Sequence, residues 1–389
     1  MAELNSTYPA VADFRVQARR RIPHFAYEFL DAGTGLDHTL ERNATDLARV
    51  QLSPRAMRGP VVRDLRTNFL GQDYNAPFGI APAGGTGMIW PGGEKILAAV
   101  GASSGLPYTL ASVATQTPET IGPIAKGRGW FQFYPMADKD IQKDVLQRAH
   151  GAGFETLVVT VDVPKMSRRE RQMRAGFQMP PRLTPRMLFQ ALSHPGWTRA
   201  MLQTGRPELA TLMPYFAYLP AGDRMAEIGR QLHPEPAWAE IDRIREIWPG
   251  KIILKGIMHP EDARMAVAMG ADAIWVSNHG GRQLDAAPST ISALPHIRAS
   301  VGRDVSIIFD SGVRSGLDIA RAIASGADFV MLGRPFLYAL AAGGRDAAQH
   351  CARILCDELE NVMAQTGAER PADLPLSLIE PASLSMKGT

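Results

Sequence analysis

Eight apolar runs of strand length recur along this chain, and their spacing restricts its fold more than any other feature. They are FGIAPAG (78–84), YTLAS (108–112), WFQFY (130–134), TLVVTVD (156–162), KIILKGI (251–257), AIWVSN (273–278), SIIFDSG (306–312) and FVMLGR (329–334). Most are near-continuously hydrophobic, the pattern of parallel strands buried on both faces. Helical patterns fill the intervals. GGEKILAAVGASSG and HPEDARMAVAMGADA are two of them, the second with acids in its first turn and a terminating glycine. Strands alternating with helices predict an α/β fold. The count of eight favours a closed (β/α)8 TIM barrel over its rival, an open doubly wound sheet. A chain of 389 residues can hold such a barrel as one domain.

Two pieces lie outside the eightfold pattern. Residues 1–77 read as an N-terminal cap, with helical signal in ADFRVQARRRI and AYEFLDAG. Residues 163–235, rich in Pro, Arg and Met, read as a long loop after the fourth strand. Loops of that length inside a domain are usually functional or disordered. The barrel itself spans 78–367, and 368–389 form a C-terminal tail.

The composition, 45% hydrophobic and 21% charged, is that of a soluble globular protein. Cys351 and Cys356 lie five apart in a predicted helix, neither a metal spacing nor a disulfide framework, and no metal site is expected. The N-terminus lacks the apolar core of a signal peptide, and no run reaches the roughly 18 apolar residues of a membrane span. The expected location is cytoplasmic, and no nucleic-acid partner is expected. The net charge of +3 conceals an asymmetry. Residues 163–206 carry Lys165, Arg168, Arg169, Arg171, Arg174, Arg182, Arg186, Arg199 and Arg206 against Glu170, a net +8 that leaves the rest of the chain at −5. Such a patch points to an anionic partner: substrate, phosphate or lipid headgroup.

In a barrel the strand ends share one mouth, where the chemistry of this fold is placed. Those ends supply Gly84, Ser112, Gln132 with Tyr134, Thr160 with Asp162, Lys255, Ser277 with His279 and Arg282, Asp310 with Arg314, and Gly333 with Arg334. DSGVRSG (310–316) and LGRP (332–335) follow the seventh and eighth strands, where barrels bind phosphate through backbone N–H groups and a helix N-terminus. Alternatively they are turn glycines with surface arginines. Lys255 ends a buried strand, which is costly without a nearby anion. A Schiff-base lysine and a snorkelling structural lysine remain alternatives. Asp162 either orients a histidine or caps the following segment. His279 and Arg282 flank Gly280 and Gly281 in VSNHGGRQLD (276–285), where an imidazole and a guanidinium can converge on a 2-hydroxy carboxylate.

SNHGGRQLD, with LKG upstream and DSGVR and LGR downstream, resembles the FMN-dependent L-2-hydroxy acid dehydrogenase and oxidase family. The resemblance runs from about Ala12 to about Gly367. HPGW (194–197) and TGRP (204–207) look most like the membrane-associated bacterial lactate and mandelate dehydrogenases. The resemblance implies that His279 is the base, with Asp162 stabilising its imidazolium. Arg282 and Tyr134 would hold the substrate carboxylate, with Arg169 nearby. Lys255 would face the flavin and stabilise its anionic reduced form. Gln132, Thr160 and Ser277 would hydrogen-bond the isoalloxazine or ribityl chain, with Ala83, Gly84 and Ser112 also at the cofactor. Asp310, Gly312, Arg314, Gly333 and Arg334 would hold the ribityl and phosphate groups.

Three positions bear on substrate and acceptor. Phe29 stands where the family usually has a tyrosine reaching the substrate carboxylate. Removing a hydrogen bond to a charged group costs roughly 1.5–3 kcal/mol. Val113 replaces a bulky tryptophan of the short-chain oxidase, implying room for a larger 2-substituent. Gly84 matches the dehydrogenase members, whereas several oxidases carry alanine. The resulting expectation is a lactate-like or larger, mandelate-like substrate, with electrons passed to a quinone or other carrier. The alternatives are an oxygen-reducing oxidase making hydrogen peroxide and a non-catalytic flavin-binding protein. In 163–206 the arginines mingle with Met, Leu, Phe and Trp, so either peripheral contact with the inner face of the cell membrane or a solvated lid is expected. A homotetramer is implied by the family alone.

Overall fold

The computed structural model describes residues 2–177, 184–232 and 237–379. A hairpin of β1 (Thr67–Phe69) and β2 (Gln72–Tyr74) precedes eight strands. These are β3 (Phe78–Ile80), β4 (Tyr108–Ala111), β5 (Gly129–Phe133), β6 (Thr156–Thr160), β7 (Lys251–Ile257), β8 (Ala273–Val276), β9 (Ser306–Phe309) and β10 (Phe329–Leu332). From β3 to β10 each strand pairs in parallel with its successor, and β10 closes on β3 with Val330 opposite Phe78 and Leu332 opposite Ile80. The fold is a closed (β/α)8 barrel. The helices between strands stop where the sequence marks them: Gly93–Ser104 ends at Gly105 (φ +69°), and Lys139–Gly151 starts at Asp138, whose side chain accepts from the Asp140 and Ile141 N–H groups.

Side chains alternate across a strand with period two, so one register decides both core and site. Phe131, Phe133, Leu157, Val159, Ile252, Leu254, Ile274, Val276, Ile307 and Phe309 join the core under the helices. Their neighbours Trp130, Val158, Ile253, Trp275, Ile308 and Phe329 fill the barrel interior. Two residues further along the same inward columns stand Gln132, Thr160, Lys255, Ser277 and Asp310. The apolar floor and the polar mouth are therefore successive layers of one pattern.

The β1–β2 hairpin was not foreseen. Its two-residue turn is Leu70-Gly71, with φ of +52° and +85°, a conformation usually signalled by Asn-Gly or Asp-Gly. Phe69 and Tyr74 pack against Trp130 and Phe329, and the Trp130 indole N–H donates to the Tyr74 hydroxyl at 3.1 Å. The hairpin thereby plugs the end of the barrel opposite the site.

The excursion after β6 also corrects the sequence reading, since its described part is mostly helical rather than a loop. Helices span Glu170–Arg174, Pro185–Leu192, Pro195–Thr204 and Ala221–Gln231. Pro185 and Pro195 start helices instead of breaking them, because a first-turn residue has no helical use for its N–H. Thr184 accepts from the Met187 N–H as a cap. Arg171, read as part of a basic patch, pairs with Glu28 (2.8 Å), Asp31 (2.9 Å) and Asp37 (2.6 Å). It ties the excursion to the N-terminal cap. Arg182 of the same patch and residues 380–389 of the tail lie outside the described residues.

Candidate active site

A cavity of about 1020 Å³ opens at the C-terminal ends of the barrel strands. His279 follows β8 on a tight loop in which His279, Gly280 and Gly281 all have positive φ (+58°, +66°, +74°). The glycines are required by close approach. A Cβ at Gly280 would lie 2.7 Å from an Arg334 guanidinium nitrogen, and one at Gly281 2.6 Å from the Leu40 backbone nitrogen. Such strain persists only where surrounding contacts enforce it. The His279 N–H donates to the Ser277 hydroxyl at 3.1 Å, and its Nδ1 lies 3.1 Å from Asp162 Oδ1. Burial lowers the imidazole below its ordinary range, while Asp162 opposes that shift. Burial alone would raise the Asp162 carboxyl, but His279 and Lys255 pull it below its usual value. The ring is therefore neutral near pH 7 beside an ionised carboxylate. With Nδ1–H held by Asp162, Nε2 is left as the basic nitrogen.

Lys255 is buried at 5% exposure, yet it has the anion its burial demands. Its ammonium donates to the Ser277 hydroxyl at 2.9 Å, lies 3.5 Å from Asp310 Oδ2, and sits 5.3 Å from the Trp275 ring centre. Gln132 donates to the Thr160 hydroxyl at 2.9 Å, bridging β5 and β6. These groups form the wall between β5 and β9.

Cations dominate the opposite wall. Arg282 donates to the Phe29 and Ala32 carbonyls at 3.1 and 2.7 Å, with its guanidinium 5.8 Å from the Phe29 ring centre. Arg334 donates to the carbonyls of Leu30, Gly280 and Ala32, so it also fastens the His279 loop to the cap. Burial, then mutual repulsion with Arg169 and Arg334, pushes Arg282 well below its ordinary value; burial likewise lowers Arg314 to about 10. Arginines held together against this cost mark an anion site. Tyr134 lies at the same wall, and burial followed by Asp162 keeps its phenol protonated well above its usual range.

The cavity brings together Phe29, Ala83, Gly84, Val113, Gln132, Tyr134, Thr160 and Arg169 with Lys255, His279, Arg282, Asp310, Gly312, Arg314, Gly333 and Arg334. Asp162 and Ser277 stand one layer behind, acting through His279 and Lys255. Ser112 is fully buried and off the cavity wall. Its N–H continues the ladder by donating to the Gln132 carbonyl, and the next residue, Val113, takes the cavity-facing side. The sequence reading missed two ties. The Ser167 hydroxyl donates to the Arg282 carbonyl, and the Gln283 amide donates to the Lys165 carbonyl at 3.2 Å. Gln283 lies inside the quoted motif, but nothing local indicates that its partner comes from the excursion.

Observations independent of resemblance test whether FMN fits here. A Cβ at Gly333 would have only the Ala81 methyl within 4 Å, so the backbone is bare toward the cavity where the helix Arg334–Thr366 begins. A helix N-terminus beside Arg314 suits a phosphate. Polar side chains from β5, β6, β7 and the end of β9, Gln132, Thr160, Lys255 and Asp310, line the cavity and suit a flavin's heteroatom edge. The residues fit the cofactor.

The chain matches the family model described as FMN-dependent dehydrogenase over residues 18–381. An L-lactate dehydrogenase of Stenotrophomonas maltophilia (strain R551-3) is 40% identical over 368 residues, covering 94% of this chain and 97% of that protein. One from Chromohalobacter salexigens is 41% identical, covering 94% and 93%. Among solved structures, a monotopic membrane protein, (S)-mandelate dehydrogenase, superposes with a TM-score of 0.89 at 30% identity, covering 95% of this chain and 98% of that one. A mandelate oxidase gives 0.82 at 33%, covering 96% and 98%. The match takes in the whole barrel and its cap from the second helix onward, and the chain belongs to the FMN-dependent dehydrogenase family.

Proposed function

We propose that this protein oxidises an L-2-hydroxy acid to the 2-oxo acid, with His279 as the base. The single observation that carries the assignment of the base is the His279–Asp162 pair, neutral in its imidazole and facing a cavity lined by cations. His279 Nε2 takes the proton lost by the substrate, and Asp162 stabilises the imidazolium that results. Such a base contributes about 10²–10⁴ in rate. Arg282, with Arg169 and Tyr134, binds the carboxylate and fixes which face of the 2-carbon is presented. Phe29 and Val113 line the same cavity, and Gly84 makes room for the Val113 side chain, since a Cβ there would lie 2.6 Å from its Cγ2. Bound FMN supplies the two-electron acceptor. Lys255, paired with Asp310, places a positive charge at the cofactor's polar edge, and Gln132, Thr160 and Ser277 complete that wall. Gly312, Arg314, Gly333 and Arg334 form the phosphate end. Ser112 and Ala83 support the cofactor's surroundings from β4 and β3.

Anaerobic mixing with L-lactate and L-mandelate tests the reading. Bleaching of the flavin absorbance by the L but not the D acid is expected, and no bleaching by any 2-hydroxy acid overturns it. His279→Ala should keep FMN and lose bleaching. Loss of FMN instead would reassign His279 to cofactor holding.

Electrons then pass to a quinone or similar carrier, and residues 163–206 contact the inner face of the cell membrane. Three observations support this. Leu188, Phe189, Leu192 and Leu202 are 58–81% exposed on adjacent helices. Arg186, Arg199 and Arg206 are exposed beside them. The similar (S)-mandelate dehydrogenase is a monotopic membrane protein. No helix among the described residues is long and apolar enough to cross a membrane. A homotetramer is proposed from the family resemblance.

A further inference from the structure

The cavity continues past the carboxylate-binding cations into a lobe with a different lining. Its walls come from the excursion: Phe177, Leu209, Met225, Ile228 and Leu232, with Met88 facing them from the β3 loop. Phe177, Leu209, Ile228 and Leu232 are each at most 8% exposed, so they already belong to the packed interior. Phe177 stacks on Phe29 at 5.2 Å between ring centres, which joins this lobe to the residue beside Arg282. None of these six side chains carries a charge or a strong hydrogen-bonding group, and the polar neighbour from the excursion is Gln172, one turn before Phe177. A methyl substituent such as that of lactate would not reach these side chains, and an apolar cavity lining of this kind suits an apolar ligand group.

One position sharpens the geometry. Gly229 lines the cavity from the middle of the helix Ala221–Gln231, and a Cβ built there meets nothing within 4 Å. A glycine inside a helix weakens it relative to alanine, so its presence is not explained by helix formation. It leaves space where the neighbouring turn presents Met225 and Leu232. Methionines, unbranched and flexible, adapt to chains of varying shape.

We infer that this lobe is the binding subsite for an extended aliphatic 2-substituent, so the preferred substrates are straight-chain 2-hydroxy acids well beyond lactate. The inference rests on the 2-hydroxy acid reading above and specifies its substrate class. The carboxylate is held at Arg282, the 2-carbon lies at His279, and the chain runs past Val113 and Phe29 to the Gly229 face.

The test is calorimetric titration of the FMN-loaded protein with unreactive straight-chain carboxylates from acetate to decanoate. A buried methylene contributes about 0.8 kcal/mol, so affinity should rise about fourfold per added CH2 until the lobe is full. Gly229→Leu, which adds helix propensity and should fold, is expected to flatten the rise at the chain lengths that reach the helix. The same series of L-2-hydroxy acids, followed as anaerobic flavin bleaching with no acceptor present, should show the same chain-length preference. A flat affinity series in the unmodified protein overturns the proposal, as does a slope that Gly229→Leu leaves unchanged. A Gly229→Leu effect confined to reoxidation by a quinone also overturns it and assigns the lobe to the acceptor. If L-lactate bleaches the flavin while the series is flat, only the subsite fails; if no 2-hydroxy acid of any length bleaches it, the 2-hydroxy acid reading itself fails.

Discussion

Replacing Asp162 with asparagine removes a charge and keeps the shape, isolating what the carboxylate does for His279. In the folded protein Asp162 Oδ1 is 3.1 Å from His279 Nδ1. Oδ2 is buried with no hydrogen-bond partner among the described residues, so its interactions are concentrated on the histidine and on the charge of Lys255. A hydrogen bond to a charged group contributes about 1.5–3 kcal/mol. That bond exists at full strength only once the imidazole is protonated, so its loss falls on the transition state and predicts a rate of flavin reduction slower by roughly 10- to 150-fold. The pH dependence has a definite sign. Burial lowers the His279 pKa and Asp162 raises it, so Asp162→Asn lowers it further. The acid limb of the rate profile should therefore move to lower pH while the plateau drops. Anaerobic stopped-flow reduction by an L-2-hydroxy acid between pH 4.5 and 8 measures both. A plateau within about threefold of the parent, or an acid limb displaced upward, would refute a stabilising role for Asp162.

Other perturbations probe neighbouring parts. Asp31 is buried under Arg15, Arg171 and the Tyr338 hydroxyl; burial alone would raise its carboxyl, but these partners hold it below its ordinary value. Its folded pKa is depressed, so its stabilisation is present above about pH 4 and fades as pH falls further. Asp31→Asn should cost about 3 kcal/mol near pH 7, with the gap in Tm to the parent narrowing toward pH 3. Lys255→Met leaves Asp310 without its cation and should lower the two-electron potential of bound flavin by about 30 mV or more, equivalent to ~1.4 kcal/mol, in a dye-equilibration titration. An unchanged potential would remove Lys255 from the cofactor's electrostatics. Phe189→Ser with Leu192→Ser should weaken flotation with anionic vesicles at least tenfold, since each large apolar side chain contributes up to about 1.5–3 kcal/mol on burial. Unmodified protein that ignores such vesicles at low salt would end the membrane proposal.

Much of the architecture is written locally. A run such as KIILKGI has no helical use for its branched residues, and eight such runs with helices between them leave little but a barrel. The position of a polar residue two places beyond an inward apolar one, as in Trp130 to Gln132 or Trp275 to Ser277, fixes its side of the sheet from spacing alone. That is why most of the mouth could be named from sequence. Ser112 shows the limit of the same rule: it sits at a strand end, but one residue out of phase, and the pleat turns it away from the cavity.

What the chain alone could not settle depends on partners distant in sequence. Arg171 was one cation in a basic stretch until the fold set it against Glu28, Asp31 and Asp37, more than 130 residues away. Prolines in the excursion can break or start helices, and Pro185 starts one with the adjacent Thr184 as its cap. Gly280 and Gly281 signal a flexible loop, yet the fold uses them for close packing, since Arg334 and Leu40 leave no room for a Cβ. Sequence determined the alternation of surfaces, since that follows from backbone periodicity. Tertiary structure decided charge pairing, burial and the shape of the cavity, because these depend on which remote groups close packing brings into contact.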